Sequence, residues 1–278
     1  MDVNDISNSY NNYNNQLNQT NNILNRVATG LAINQASDDS SGLAIAMQLQ
    51  TDGNSLAKAV ENTNSGIAMM QIADKAIDEQ SSILDTINQK LTQASTATTS
   101  NEGRDALFQD IQKLMDQFDK IASQTEYNGV SLLQQSKTDT SKSDAQVFQA
   151  GIAEGDTISS SEVQANTQGV GLNNLKNETS ANFTADVARG YMSDVTDALD
   201  KLNGFRSDIG STTKQLESAT RDLITQKTQT EAAKSTLLST DFAKESTDFS
   251  KQNILSQAGS YGIAQANATQ AQVLRLLQ

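Results

Sequence analysis

Residues 191–237 read YMSDVTDALDKLNGFRSDIGSTTKQLESATRDLITQKTQTEAAKSTL, and this stretch decides the fold. Within it Tyr191, Val195, Ala198, Leu202, Phe205, Ile209, Thr212, Leu216, Ala219, Leu223, Gln226, Thr230, Ala233 and Leu237 recur in unbroken steps of four and three. That spacing lines one edge of an α-helix. Sustained over more than six heptads, it predicts a coiled-coil seam that needs a partner helix, where a helix on a globule would have a wider apolar face and stop sooner. Thr212, Gln226 and Thr230 place polar groups on the seam, which weakens it and can fix register.

The same pattern recurs on both sides. Leu49, Leu56, Thr63, Met70, Ile77, Leu84 and Leu91 repeat every seven residues, flanked by Ala59, Val60, Ile67, Ala73 and Ile87. A shorter stripe runs through Leu107, Ile111, Leu114, Phe118 and Ile121. Near the start, Ile6, Tyr10, Tyr13, Leu17, Leu24, Val27 and Leu31 keep the rhythm, with Thr20 filling one gap; near the end, Phe242, Phe249, Ile263, Ala266, Val273 and Leu277 suggest a further helix. A chain of 278 residues without one Pro suits long uninterrupted helices.

The breaks are equally readable. Thr98–Gly103 is a polar turn between helices, and Asp38-Asp39-Ser40-Ser41-Gly42 reads as a cap and a helix start. Asn128-Gly129 between apolar residues is a tight-turn signal. From Val130 to about Ala185 the chain breaks into short apolar pieces among Gly, Ser, Thr and Asn, predicting small β-strands and loops between two helical arms.

Chemistry is scarce. The chain has no Cys and no His, which removes disulfides, thiolate zinc sites, His-ligated metals and the usual catalytic triads. No Gly precedes a Lys, so there is no phosphate loop, and Gly169-Val170-Gly171 continues into no dinucleotide fingerprint. Acids such as Asp116 and Asp119, beside Lys120, read as solvated helix faces. A net charge of −13 disfavours nucleic acid and anionic membrane as partners, and no apolar run is long enough to span a bilayer. The first residues lack the basic and apolar regions of a secretory signal, which predicts a cytosolic chain or one exported by another route. Catalytic, cofactor and metal residues are therefore expected to be absent. Terminal stripes with nothing to cover them would be marginal in a lone monomer, which points to a self-assembling subunit whose repeated contacts build a helical polymer.

Two signatures at opposite ends resemble one family. Thr29-Gly30-Leu31-Ala32-Ile33-Asn34-Gln35-Ala36-Ser37-Asp38-Asp39-Ser40-Ser41-Gly42-Leu43-Ala44-Ile45-Ala46 is similar to the N-terminal signature of bacterial flagellins. Asp241-Phe242-Ala243, Asn253–Gly259, Ala264-Gln265-Ala266-Asn267 and Val273–Gln278 are similar to the C-terminal one. Ala73–Gln80, Ile83–Ile87 and Arg206–Ser211 further resemble the epsilonproteobacterial branch, in a short form without the variable outer domains.

The resemblance implies a mainly α fold of long antiparallel coiled-coil helices: a terminal inner-tube helix pair and a three-helix rod with a small β-hairpin region at its tip. It implies inner-tube helices over 1–41 and 239–278, outer-rod helices and β tip over 42–185, and an outer-rod helix over 186–238. The implied function is a structural subunit, exported through the flagellar type III apparatus, that polymerises into the extracellular filament for motility. The alternative is a secreted, non-filament flagellin-like protein that binds host or surface targets. Implied partners are other copies of the chain, the flagellar cap, hook–filament junction proteins and an export chaperone. The implied polymerisation interface holds Leu17, Leu24, Val27 and Leu31 at one end and Ile263, Val273, Leu274 and Leu277 at the other. The positions equivalent to the family's contacts with the innate Toll-like receptor for flagellin read Thr86, Lys90 and Asp110. The family pattern has an Arg there that neither Thr nor Lys replaces, so weak or no receptor stimulation is expected.

Overall fold

The computed structural model describes residues 3–134, 136 and 140–276, without the side chains of 3–6, 9, 270, 273, 274 and 276. In chain order the elements are α1 (Val3–Thr29), α2 (Ser40–Ala94), α3 (Asn101–Gln124), β1 (Glu126–Tyr127), β2 (Val130–Ser131), β3 (Val147–Gln149), β4 (Thr157–Ser159), α4 (Thr167–Val170), α5 (Asn173–Lys176), a 3₁₀ turn (Ser180–Asn182), α6 (Ala185–Leu238) and α7 (Phe242–Leu276). Two compact units result. One runs from Asn54 to Lys227; the other combines the residues up to Gly53 with those from Thr228 onward. The expected architecture, long helices with a small β region, is the one observed.

The core of the Asn54–Lys227 unit follows from the heptads. Leu56, Thr63, Met70, Ile77, Leu84 and Leu91 of α2 are all buried, as are Val195, Ala198, Leu202, Ile209, Thr212, Leu216 and Leu223 of α6. Cross-links fix α2 and α6 as antiparallel. Thr220 Oγ1 donates to Thr63 Oγ1 at 2.9 Å, and Arg206 reaches Asp74 and Asp78, each at 3.1 Å. The polar seam residue Thr63 is thus satisfied by a hydroxyl across the seam and by its own helix, where it donates to Val60 O.

In two places the seam lies one residue away from the predicted stripe. In α3 the buried line is Phe108, Ile111, Met115, Phe118 and Ala122, while Leu107, Leu114 and Ile121 pack beside it half-buried. This helix is covered on a broad face, so adjacent apolar residues share the burial. In α6 the predicted Gln226 and Ala233 are exposed, and Lys227, Thr230, Lys234 and Leu237 take the half-buried positions. The four-three rhythm continues from Leu223, but half-buried Lys side chains carry it, and Lys234 Nζ donates to Gln50 Oε1.

The β elements are small. Asn128 (φ 51°) and Gly129 (φ 77°) both lie in the left-handed region, giving the two-residue turn that the Asn-Gly pair demands, with Tyr127 opposite Val130 and Glu126 opposite Ser131. β3 and β4 pair antiparallel, Phe148 opposite Ile158. This second hairpin sits on α2 where Gly66 interrupts the helical stripe: a Cβ there would come within 2.8 Å of the Phe148 ring. The glycine costs helix propensity, about 1 kcal/mol against Ala, and provides the space the ring occupies.

Polar groups pin the irregular segment to the helices. Asp119, read from sequence as solvated, is wholly buried. Its carboxylate accepts from Thr167 N at 2.7 Å, from Thr167 Oγ1 at 3.0 Å and from Lys176 Nζ. Burial of this carboxylate requires those donors, which lie on α4 and α5, far along the chain. Gln80, also wholly buried, donates to Phe118 O at 3.1 Å and Ala165 O at 2.7 Å. At the α2–α3 turn Ser100 caps Gly103 N, and the Arg104 guanidinium donates to Ala94 O and Thr99 O.

Candidate assembly interface

The other unit is built on α1 and α7, an antiparallel pair joined by an unusually polar seam. On α7 the covered positions are Glu245, Phe249, Gln252, Ser256, Gly259, Ile263 and Ala266, a strict four-three series; on α1 they are Tyr13, Gln16, Thr20, Ile23 and Val27. Among the apolar members only Ile23 is buried, at 8% exposure. Small side chains let the helices approach closely: a Cβ on Gly259 would touch Tyr13 and Gln16 at 3.4 Å. Register comes from polar pairs. Arg26 Nε and Nη2 donate to Glu245 Oε1 and Oε2 at 3.0 and 3.1 Å, a fork-to-carboxylate pair with the Glu245 side chain 11% exposed. Gln252 Nε2 donates to Gln19 Oε1 at 2.9 Å and Gln16 O at 3.3 Å, and Asn267 Nδ2 to Tyr10 Oη at 3.3 Å.

The Thr29–Ala46 signature is the junction of this unit. Gly30 (φ 70°) ends α1 in the left-handed conformation, and its N–H returns to Arg26 O at 2.8 Å. The chain then pairs with the segment between α6 and α7. Leu31 forms an antiparallel bridge with Ser239, Ala32 N donates to Leu238 O, and Thr240 N donates to Gly30 O. Asp38 Oδ2 accepts from Asn34 N and Gln35 N at 3.0 and 3.1 Å, and the Asn34 bond in particular holds its carboxyl below the usual range. Asp39 Oδ1 caps α2 through Ser41 N and Gly42 N, and Asp241 Oδ1 caps α7 through Ala243 N and Lys244 N. The Asp38-Asp39 pair is therefore structural. Gly42 has no room for a side chain: a Cβ would lie 2.5 Å from Asp39 Oδ2 and 2.6 Å from Ile33 Cδ1.

Of the residues expected at the polymerisation interface, Leu17, Leu24 and Leu31 lie outside the buried line of the α1–α7 seam and are 37, 44 and 36% exposed. With Tyr10, 45% exposed, they keep a seven-residue spacing, Tyr10, Leu17 and Leu24 on α1 and Leu31 just past its end. Val27 and Ile263 are half-buried in the seam itself. The side chains of Val273 and Leu274, and Leu277 altogether, lie outside the described residues. Of the α7 half of this seam, Phe249, Ile263 and Ala266 belong to the stripe read from sequence, whereas Glu245, Gln252, Ser256 and Gly259 escape an apolar count; a search for small and polar residues at four-three spacing finds them.

In the Asn54–Lys227 unit, Lys90 Nζ and Asp110 Oδ2 meet at 2.9 Å, and the hydrogen bond from Lys90 holds the Asp110 carboxyl below its ordinary range. Thr86, one turn earlier on α2, donates to Ser82 O. The three positions thus form a pair and a neighbour, with Lys90 and Asp110 occupied by each other. Among the described residues no helix is long and apolar enough to cross a membrane, and no group of His, Cys, Asp or Glu could hold a metal ion.

Helices from the two ends of the chain, paired antiparallel and presenting an exposed heptad stripe, define the class of helical chains that fold back on themselves and lay terminal helices side by side. Residues 4–138 match the bacterial flagellin N-terminal helical region and residues 192–277 the C-terminal helical region. The chain belongs to the bacterial flagellin family, a family of structural proteins. It is 41% identical to flagellin A of Helicobacter felis over 162 residues, covering 58% of this chain and 30% of that protein. It is 28% identical to the flagellar filament 31.3 kDa core protein of Treponema maltophilum, over 92% of this chain and 91% of that one. A solved structure from Vibrio parahaemolyticus, named provisionally as a flagellar hook-associated protein, shares the fold at a TM-score of 0.59 and 15% identity, over 72% of this chain and 99% of that one. The chain spans less than a third of the length of the Helicobacter flagellins it matches.

Proposed function

We propose that this chain is a structural subunit that polymerises into the extracellular flagellar filament for motility, after export through the flagellar type III apparatus. The observation that carries this reading is the Tyr10, Leu17, Leu24, Leu31 stripe. It leaves large apolar side chains at seven-residue spacing more than a third exposed in a family whose two terminal regions both match here. Each copy would bury the stripe against a neighbour, with Val273, Leu274 and Leu277 adding to the same contacts from the other end of the chain. The helices over 1–41 and 239–278 act as the inner layer and residues 42–238 as the outer one. The cap, the hook–filament junction proteins and an export chaperone are the remaining partners, and no catalytic step belongs to the chain.

Leu24→Asp tests the reading. A charge on the exposed stripe abolishes seeded polymerisation while circular dichroism shows the Asn54–Lys227 helices still folded; normal filaments from this variant would sink the assignment. The Lys90–Asp110 pair supports a second part of the proposal: Thr86, Lys90 and Asp110 make this chain a weak stimulus of the innate flagellin receptor. Purified monomer is expected to give at most a small fraction of the signal of a flagellin with the family's Arg. Equal potency would overturn it.

A further inference from the structure

The charge of the chain is distributed very unevenly. Ile6–Asn25 and Gln252–Leu274 contain no Asp, Glu, Lys or Arg, although charged residues make up 19% of the whole. At that frequency these 43 residues would carry about eight charges. The runs are bounded by Asp5 and Arg26 on α1 and by Lys251 and Arg275 on α7, and Arg26 is paired with Glu245 inside the unit. Charge gives way to amides: eleven of the 20 residues from Ile6 to Asn25 are Asn or Gln. Asn14, Asn18, Asn21 and Asn25 are exposed, on the flank of α1 next to the Leu17–Leu24 stripe and turned away from α7.

A solvated helix face normally carries charges, so this composition needs a reason. In an array of identical copies each subunit presents the same residues to its neighbours, and a chain of net charge −13 brings like charges together wherever a charged surface is used. A primary amide avoids this because it holds both donor and acceptor and is complementary to itself. We propose that copies of this chain meet through the charge-free face of α1 and α7, with Asn14, Asn18 and Asn21 hydrogen-bonding to amides of the adjacent copy beside the buried leucine stripe. The proposal rests on the self-assembly reading and adds the chemistry of the contact: uncharged, amide-to-amide, and intolerant of charge of either sign.

Sign-independence is the test. In the full chain, Asn21→Lys and Asn21→Asp are compared by the concentration of free chain left at the plateau of seeded polymerisation. Both are expected to raise it at least tenfold, and Asn21→Gln to leave it within twofold. If the face were open to water in the polymer, Lys would be neutral or favourable on so acidic a chain and only Asp would impair. That outcome overturns the proposal. Hydrogen exchange of the α1 amides in the free chain checks that the pairing with α7 survives, and the same Lys and Asp pair at Asn18, one turn away, gives an independent reading. Leu24→Asp is measured alongside. If it blocks assembly while the charged Asn variants assemble normally, the amide contact is wrong and the self-assembly reading stands. If it too assembles, the self-assembly reading itself fails.

Discussion

At the scale of single residues, the polar groups most informative about the fold are those whose partners lie far along the chain or in another element. Tyr191, at the start of the long α6 seam, donates to Glu178 Oε2 at 2.7 Å. Burial and then this bond push its phenol up to about 12, and the same bond holds the Glu178 carboxyl low. The unfolded phenol loses its proton near pH 10 and the folded one near 12, so Tyr191 contributes stability that is complete below pH 10 and is lost as pH rises through 12. Absorbance titration of tyrosinate should resolve one late phase near pH 12, missing in Tyr191→Phe; a variant curve identical to the parent's would show that the phase belongs elsewhere. Asp119 shows the limit of residue-level reading from sequence. Its neighbours Asp116 and Lys120 are exposed, and only the folding of α4 and α5 onto α3 brings Thr167 and Lys176 to the carboxylate.

At the scale of elements, periodicity was legible wherever apolar side chains carried the seam. The seven-residue repeat of α2 from Leu56 to Leu91 is buried as read, and so is the Val195–Leu223 run of α6 except the half-buried Phe205 and Ala219, because steps of four and three return side chains to the same edge. The reading failed where other chemistry carried the same geometry. Lys227 and Lys234 hold the seam positions of α6 by their stems, and Glu245, Gln252, Ser256 and Gly259 hold those of α7 by hydrogen bonds and small volume. In α1 the buried Ile23 stands one position before Leu24, which the stripe through Tyr10 and Leu17 selects, because two heptad edges run side by side and sequence does not say which one meets α7. The paired substitutions Leu202→Ala and Ala233→Glu separate the predicted stripe from the actual seam. Leu202 is fully buried, so truncation should cost about 2–5 kcal/mol in denaturant unfolding. Ala233 is exposed, and a surface change in a helix should stay within about 0.5 kcal/mol. Equal losses at the two positions would restore Ala233 to the seam.

At the scale of the whole molecule, the two units are held by different kinds of bond, and their stabilities should differ accordingly. The Asn54–Lys227 unit owns a continuous apolar core that runs through α2, α3 and α6 and includes Leu133, Leu172, Leu175 and Phe183 from the segments between them. In the other unit the buried apolar side chains among the described residues are few, Ile23, Ile33 and Ala46, and its helices are matched instead by Arg26–Glu245 and by amide pairs. Hydrogen bonds contribute about 1 kcal/mol each after exchange with water, whereas a buried Leu or Ile contributes about 1.5–3 kcal/mol. Local stability therefore falls from the core towards α1 and α7. Heating the free chain should give two transitions in far-ultraviolet circular dichroism, the lower one melting α1 and α7. Arg26→Met leaves the largely buried Glu245 without its partner, a loss of about 1–3 kcal/mol, and should lower only the first midpoint. Leu202→Ala should lower only the second, by roughly 6–12 °C for a loss near 3 kcal/mol. A single transition that both substitutions shift together would mean that the units share one cooperative core. In the polymer the exposed stripe and the amide face gain partners that the free chain lacks, so the lower transition should move up towards the second, and Asn21→Lys should reduce that rise.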